Sequence, residues 1–381
     1  MRGATMRRLV ATAGLGLILA SPAIAGDANP PPFGIEAAWA YRLRAIVWQK
    51  FSHGDRSIAK YTDAIRLDPA DSASYAARGY ARYQIREYDR SIADYTEAIR
   101  LEPTNALSHN DRGSARNIRH EYDLAIADYT EAIRLDPTIT PAYFGRSHAH
   151  QRRQEHDRAI ADLDEVIRFD PKVAGMFVSR GYSRRELGQL GQAIADFDEA
   201  IRLEPTLAQA YFRRGEARVE RGDLREAIAD LDEAIRLEPG KVEVYNCRGA
   251  ARVRAEDHIG ATADFAESIR LKPGDAYPFS YRGYALMARG KYVRAMADFD
   301  EAIRLKPDDA QTFLYRGTCR SANGDQHRAI ADYTEAIRLK PDFAEAYQGR
   351  GHSLIALREE DKALADFEKA VRLDPKFASP N

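Results

Sequence analysis

The chain has 381 residues, and 44% of them are hydrophobic, which is enough to bury a folded core. Its 57 lysines and arginines nearly balance its 58 aspartates and glutamates, so the formal net charge is −1 at pH 7. This balance argues against a nucleic-acid partner or an anionic membrane surface, because broad electrostatic attraction to either requires an excess of basic residues.

Residues 1–25 have the composition of a secretory signal peptide. A basic start and the apolar run LVATAGLGLILA precede a small-x-small cleavage site formed by Ala23 and Ala25. The apolar run is shorter than the roughly 20 residues that a membrane span requires. We therefore expect a periplasmic or secreted bacterial protein with no membrane insertion after cleavage. A protein anchored in the inner membrane through an uncleaved signal is the alternative.

A strict period follows a Pro-rich lead-in at residues 26–37. Ten prolines are spaced 34 residues apart, from Pro69 to Pro375, and a fixed period of this kind indicates a repeat array. Ten units are predicted over residues 38–377, namely 38–71, 72–105, 106–139, 140–173, 174–207, 208–241, 242–275, 276–309, 310–343 and 344–377. Because the units leave no room for a separate catalytic domain, we do not expect an enzyme.

Each unit is predicted to be a helical hairpin. In residues 72–105, apolar and small side chains recur at spacings of three and four in both halves, as in amphipathic helices. The closing proline ends the second helix because its ring cannot continue the hydrogen-bond ladder. Gly79 has a glycine counterpart in seven other units, although glycine inside a helix costs about 1 kcal/mol relative to alanine. We therefore expect a neighbouring helix to pack closely there.

These features resemble the tetratricopeptide repeat. The matching pattern in the second unit consists of Tyr75, Gly79, Ser91, Tyr95, Ala98 and Pro103. The resemblance implies an all-α fold, a right-handed superhelical solenoid of antiparallel helix hairpins, whose first helices line a concave groove that binds a protein or peptide without a cofactor. The first unit departs from this pattern at two positions: it has Ala45 at the glycine position, and it has Lys60 where the other nine units have aspartate.

An arginine precedes the glycine position in every unit, where the family often has leucine, and an aspartate recurs on the second helix. Their heights in an antiparallel hairpin predict a structural ladder of ion pairs. The ladder includes Arg78 with Asp94, Arg112 with Asp128, Arg180 with Asp196, Arg214 with Asp230, and Arg282 with Asp298. A strip of arginines that binds an acidic ligand is the alternative, but the matched aspartates would neutralise it.

Side chains that vary between units, while the packing positions stay constant, are the natural carriers of partner specificity. The candidate groove residues are Tyr80, Tyr83, Asn110, Asn117, Phe144, His148, Tyr182, Arg185, Phe212, Asn246, Tyr284 and Met287. This mixture of aromatic, amide and charged side chains suits an extended peptide or a partner helix. Some family members grip a C-terminal carboxylate with lysine and asparagine, but no lysine accompanies Asn110 or Asn246.

Histidines and cysteines give no clear signal for chemistry. Five histidines fall in the third and fourth units: His109, His120, His148, His150 and His156. Their spacing does not place two rings on one helix face, as a metal site requires, so no metal site is expected. Cys247 and Cys319 lie in the seventh and ninth units, too far apart for a disulfide, and are predicted to be free thiols.

The two ends of the array differ from its middle. Trp39 and Trp48 lie in the first helix of the first unit, where an N-terminal cap or a docking patch is expected. No polar helix follows Pro375, so Phe367 and Val371 are left without the usual cover unless Phe377 folds back. The sequence therefore favours an exported scaffold that recruits another protein through its groove. A homo-oligomer that assembles through uncapped ends is the alternative, and a metal-binding or enzymatic role is a remote one.

Overall fold

A computed structural model describes Arg42 and residues 54–378 of the chain. The chain divides into two compact parts, each containing several of the 34-residue repeats. They are here called unit 1 (Met1–Lys172) and unit 2 (Val173–Asn381). The expected signal peptide, the lead-in, Trp39 and Trp48 lie outside the described residues.

The described residues form nineteen α-helices and one short 3₁₀ helix, with no β-strand among them. Unit 1 contains α1 Gly54–Leu67, α2 Ser72–Gln84, α3 Tyr88–Leu101, α4 Ala106–Ile118, α5 Tyr122–Leu135, α6 Thr140–Arg152 and α7 His156–Phe169. Unit 2 contains α8 Ala174–Glu186, α9 Leu190–Leu203, α10 Ala208–Arg221, α11 Leu224–Leu237, α12 Val242–Arg254, α13 His258–Leu271, α14 Ala276–Ala288, α15 Tyr292–Leu305, α16 Ala310–Ala322, α17 Gln326–Leu339, α18 Ala344–Ala356, α19 Glu360–Leu373 and the 3₁₀ helix Pro375–Ala378.

The turn inside each hairpin uses one residue with a positive φ. Gly222 ends α10 at φ 96°, a left-handed conformation that glycine adopts without steric cost. Some hairpins hold a non-glycine residue there, such as Arg86 at φ 65°. The connection to the next hairpin starts before the periodic proline; at the end of α3, for example, the Glu102 N–H bonds to the Ala98 carbonyl oxygen 2.9 Å away.

Within each unit, every hairpin packs against the next through small residues and one aromatic or leucine side chain. In unit 1, Ala125, Tyr129 and Ala132 of α5 form a buried cluster with Ile139 and Ala142, which begin the following hairpin. In both units the second helix of a hairpin contacts the first helix of the next one. The predicted fold class, an all-α solenoid of antiparallel helix hairpins, is confirmed. Among the described residues, no helix has the length and apolar character needed to cross a bilayer.

Candidate functional site

The recurring arginine and aspartate meet between the two helices of each hairpin. Arg78 Nη2 lies 2.7 Å from Asp94 Oδ1, and Arg78 Nε lies 3.0 Å from Asp94 Oδ2, which is a bidentate pair. The other predicted pairs have closest N–O distances of 2.7 Å for Arg112–Asp128, 2.6 Å for Arg180–Asp196, 2.6 Å for Arg214–Asp230 and 2.7 Å for Arg282–Asp298. These arginines are already paired with carboxylates, so the geometry argues against a strip of free arginines that binds an acidic ligand.

A second arginine, which the sequence reasoning missed, contacts most of these aspartates. Arg82, one helical turn after Arg78, places Nη1 2.7 Å from Asp94 Oδ2. Five other arginines at the equivalent position contact a ladder aspartate in the same way, namely Arg116, Arg184, Arg218, Arg252 and Arg320. The signal was available in the sequence, because these arginines also recur at multiples of 34 residues. Each of these six carboxylates therefore sits between two cations.

The ladder arginine also ties its hairpin to the preceding one. In unit 1, Arg112 Nη1 donates to the Thr96 hydroxyl oxygen at 3.2 Å. In unit 2 the acceptor in the preceding hairpin is usually a carboxylate, as in the 2.6 Å contact between Arg214 and Asp198. One side chain thus fixes both the hairpin and its stacking on its neighbour.

Within each unit, one aromatic or leucine side chain of a hairpin, here called the floor residue, packs against one residue of the next hairpin. That second residue occupies what is here called the covering position. A Cβ built on Gly145 would lie 2.6 Å from the Tyr129 hydroxyl oxygen, and one on Gly349 would lie 2.7 Å from Tyr333 Cζ. Where the floor residue is phenylalanine, a larger side chain covers it, as Tyr315 does at 5.8 Å between ring centroids from Phe299. The extra hydroxyl of tyrosine therefore takes space that a covering side chain would need.

The candidate groove residues of unit 1 differ in exposure. Tyr80 and Phe144 are 45% and 40% exposed, while Tyr83 and Asn117 are half-buried. His148 is exposed and its Nδ1 lies 3.1 Å from Asn117 Nδ2. Asn110 was expected to line the groove surface, but the structure corrects this: Asn110 is only 7% exposed and its amide donates to Asp111.

In unit 2, part of the expected groove is already engaged with neighbouring side chains. Arg185 lies 2.9 Å from both Glu216 and Glu220, so it is not a free cation. The guanidinium of Arg213 lies over the rings of Tyr182 and Phe212, at 5.4 and 5.3 Å from the centroids. Asn246 and Met287 are half-buried.

An aromatic cleft of about 520 Å³ lies between α14 and α16 in unit 2 and is here called the tyrosine cleft. Four tyrosines line it: Tyr277, Tyr281, Tyr284 and Tyr315. The Tyr277 and Tyr281 rings lie 4.3 Å apart, and the Tyr284 and Tyr315 rings lie 5.0 Å apart. Burial raises the pKa of Tyr315 to about 12, so this phenol is a neutral hydrogen-bonding group at pH 7. Only Tyr284 of the four was singled out from the sequence.

Histidines in the described part of unit 1 contact local partners. His109 Nε2 lies 3.2 Å from the Pro103 carbonyl oxygen, and His150 Nδ1 lies 2.7 Å from Glu155 Oε2. His120 Nδ1 lies 2.7 Å from the Tyr122 hydroxyl. Across residues 54–378, no three His, Cys, Asp or Glu side chains converge as a metal site would require.

Both cysteines are free thiols in the described part of the chain. Cys319 is buried and Cys247 half-buried, and burial raises the pKa of each thiol to about 12. Since the thiolate is the reactive form, neither side chain is suited to act as a nucleophile at neutral pH.

The last hairpin exposes apolar surface that inner hairpins bury at least partly. Leu364 is 60% exposed, whereas Ile194 at the same place of an inner repeat is 6% exposed. Phe377 lies in the 3₁₀ helix that contacts α19, and it is half-buried. Phe367 is half-buried as well, whereas the equivalent Phe299 is fully buried. The 3₁₀ helix thus covers only part of α19.

Comparisons with known families agree with this architecture. Sequence models described as tetratricopeptide repeat or TPR repeat match residues 49–106, 76–139, 114–174, 181–219, 215–255, 276–309, 313–343 and 344–377. Together these matches cover more than half of the chain, and the chain belongs to the tetratricopeptide repeat family. No curated protein is similar enough to be matched with it.

Two solved structures show the same fold at low sequence identity. The C-terminal part of a TPR repeat-containing protein from Cytophaga hutchinsonii is 18% identical, with a TM-score of 0.53; the match covers 63% of this chain and 98% of that one. A tetratricopeptide repeat protein from Parabacteroides merdae is 20% identical, with a TM-score of 0.50, over 62% and 93% of the two chains.

Proposed function

We propose that the chain is an exported, non-enzymatic scaffold that recruits another protein through the surfaces of its first helices. Residues 1–25 support export, because they have the composition of a secretory signal peptide. Tetratricopeptide repeat proteins generally bind protein or peptide partners, which supports the class of function.

The tyrosine cleft carries the proposal. Its rings are large, rigid and partly exposed, with Tyr277 37% and Tyr281 39% exposed, and such side chains supply contact area at low cost in conformational entropy. Packing between hairpins does not demand tyrosine at these places, because the position of Tyr281 holds Cys247 and Gly349 in other repeats of the same unit. An extended segment of a partner would bury these rings and hydrogen-bond to their hydroxyls.

Site-specific photocrosslinking in the cell envelope tests this role. With p-benzoylphenylalanine in place of Tyr281, we expect a defined adduct that is lost when Tyr284 and Tyr315 are both changed to alanine. The matched control carries the crosslinker at Val293, which is 68% exposed on α15, outside the cleft. Equal adducts from both sites, or none from position 281, would contradict recruitment through the cleft.

The exposed face of α19 supports a second candidate, self-association through the last hairpin. Leu364 is 60% exposed, whereas the equivalent Ile194 is 6% exposed, and an uncovered apolar face at the end of a repeat array favours association. We expect light scattering to give a mass that rises with protein concentration and a Leu364→Lys variant that stays monomeric. Val293→Lys is the control and should associate like the unmodified chain. A mass that stays monomeric at every concentration would remove this candidate.

A further inference from the structure

Asp111 in unit 1 departs from the repeat in a way that packing does not explain. It occupies the covering position of the groove floor, on α4, close enough to the floor residue Tyr95 for its carboxylate to affect the pKa of the Tyr95 hydroxyl. The corresponding residues of the other described hairpins are Ala77, Gly145, Ser179, Arg213, Cys247, Tyr281, Tyr315 and Gly349. None of these is acidic. Small residues cover the equivalent floor tyrosines, Ala77 on Tyr61 and Gly145 on Tyr129, so packing does not require a carboxyl group at this position.

The Asp111 carboxyl has no cationic partner among the described residues, in contrast to the buried ladder aspartates. Its hydrogen bond comes from a neutral donor, the Asn110 amide at 2.9 Å, and its other polar neighbour is the Tyr95 hydroxyl, which is neutral as well. Burial raises the pKa of Asp111, because no positive charge offsets the loss of solvation. Burial and then the nearby Asp111 carboxylate raise the pKa of Tyr95 as well.

The charged and titratable groups around Asp111 leave its charge unbalanced. The facing groups on the adjoining helices are phenols, namely Tyr83 of α2, Tyr95 of α3 and Tyr129 of α5. The arginines of α2 and α4 are already bound to ladder aspartates: Arg78 and Arg82 to Asp94, and Arg112 and Arg116 to Asp128. His109 lies on α4 next to the ladder, and His148 on α6 contacts Asn117.

Helix α4, which carries Asp111, has two further hydrogen-bond acceptors without donors. The side-chain oxygens of Asn110 and Asn117 are buried and have no hydrogen-bond partner within the described residues. Asn110 is itself 7% exposed, so bulk water does not compensate its amide oxygen. On the neighbouring helix α2, Tyr80 is 45% exposed and Tyr83 is half-buried. The surface therefore combines one carboxyl group, unpaired acceptors and aromatic faces.

We propose that Asp111, together with Tyr80 and Tyr83, binds the guanidinium group of an arginine side chain of the partner protein. A guanidinium has five donors and no acceptor, so it complements a surface of acceptors, and its planar fork matches a carboxylate in two parallel hydrogen bonds. Its flat face also stacks on tyrosine rings. This proposal rests on the proposed scaffold function and adds the chemistry of one contact in unit 1.

Binding of short peptides to the full chain tests the site. The probe is a fluorescein-labelled peptide Gly-Ser-Gly-Arg-Gly-Ser-Gly, amidated at its C-terminus, and the comparison peptide carries citrulline, which has nearly the same shape without the charge. By fluorescence polarisation at low salt, we expect the arginine peptide to bind at least about tenfold more tightly, as one charge-assisted pair implies. Asp111→Asn should abolish the difference, and Tyr80→Ala should reduce it.

The control variant is Asp157→Asn, an exposed aspartate on α7 in the same unit, which should bind both peptides like the unmodified chain. Equal binding of the arginine and citrulline peptides, no binding of either, or a difference that survives Asp111→Asn would overturn the proposal. Adducts at position 281 in unit 2 report on the scaffold function separately, so loss of the arginine site alone leaves that function standing.

A stability measurement separates binding from a structural role. The folded pKa of Asp111 is raised above its ordinary value of 3.8, so the ionised carboxyl destabilises the fold. This penalty is absent below pH 3.8, grows between pH 3.8 and the folded pKa, and is complete above the folded pKa. We expect Asp111→Asn to raise the urea midpoint at pH 7, with a gain that shrinks as pH falls toward 3.8. A lower midpoint at pH 7 would assign Asp111 a structural role instead.

Discussion

Replacing Asp230 by alanine is expected to lower the free energy of unfolding of the α10–α11 hairpin by about 3–5 kcal/mol. Asp230 is 4% exposed and accepts from Arg214 at 2.6 Å and from Arg218 at 2.7 Å. Without its carboxylate, two mostly buried guanidinium groups lose the charge that offsets their desolvation. Removing one partner of a buried pair is costly for this reason, even where the intact pair adds little net stability.

Asp198→Ala is the matched control, because Asp198 contacts the same Arg214 at 2.6 Å but is itself 52% exposed in its side chain. Solvent screens this pair, so its loss should cost at most about 1 kcal/mol. Hydrogen exchange of the α10 and α11 amides measures both variants locally, which suits a repeat array whose hairpins need not unfold together. Equal protection in the two variants would contradict a structural role for the ladder.

Gly145→Ala is expected to destabilise unit 1 by about 1–3 kcal/mol, the usual cost of overpacking a closed core. The added methyl group would lie 2.6 Å from the Tyr129 hydroxyl oxygen, and Tyr129 is only 1% exposed and cannot move aside freely. The gain in helix propensity, about 1 kcal/mol, offsets part of this cost. The urea midpoint of the full chain, followed by circular dichroism, measures the effect.

A compensating change checks the physical reason. In unit 2 the floor residue Leu231 packs with Cys247 at the covering position, so a smaller floor accommodates a larger cover. Tyr129→Leu should therefore reduce the cost of Gly145→Ala, which a double-mutant cycle detects. Gly175→Ala, where nothing lies within 4 Å of the added carbon, should leave the midpoint unchanged or slightly raised. A cycle with no coupling would show that the two positions do not compete for space.

The repeat pattern carries most of the fold information. A strict period, helical spacing of apolar residues and closing prolines define the hairpins, because each rule acts within a few residues of the chain. Arg78 and Asp94 could be paired from the sequence, since antiparallel helices of known length bring fixed positions to one height. The tyrosine cleft was only partly visible, because Tyr277 and Tyr315 look like ordinary repeat aromatics until their rings are placed together.

By itself, the sequence determined that this chain is an array of helical hairpins. Local periodicity, an arginine in every repeat and an aspartate in nine of the ten leave few other ways to bury the apolar faces. Only the tertiary structure decided that Asn110 is buried, that Arg185 is held by two glutamates, and that Asp111 lacks a cation. The reason is physical: burial and charge compensation at one residue depend on side chains that neighbouring helices bring to it. Those neighbours are set by packing between hairpins, which no single repeat encodes.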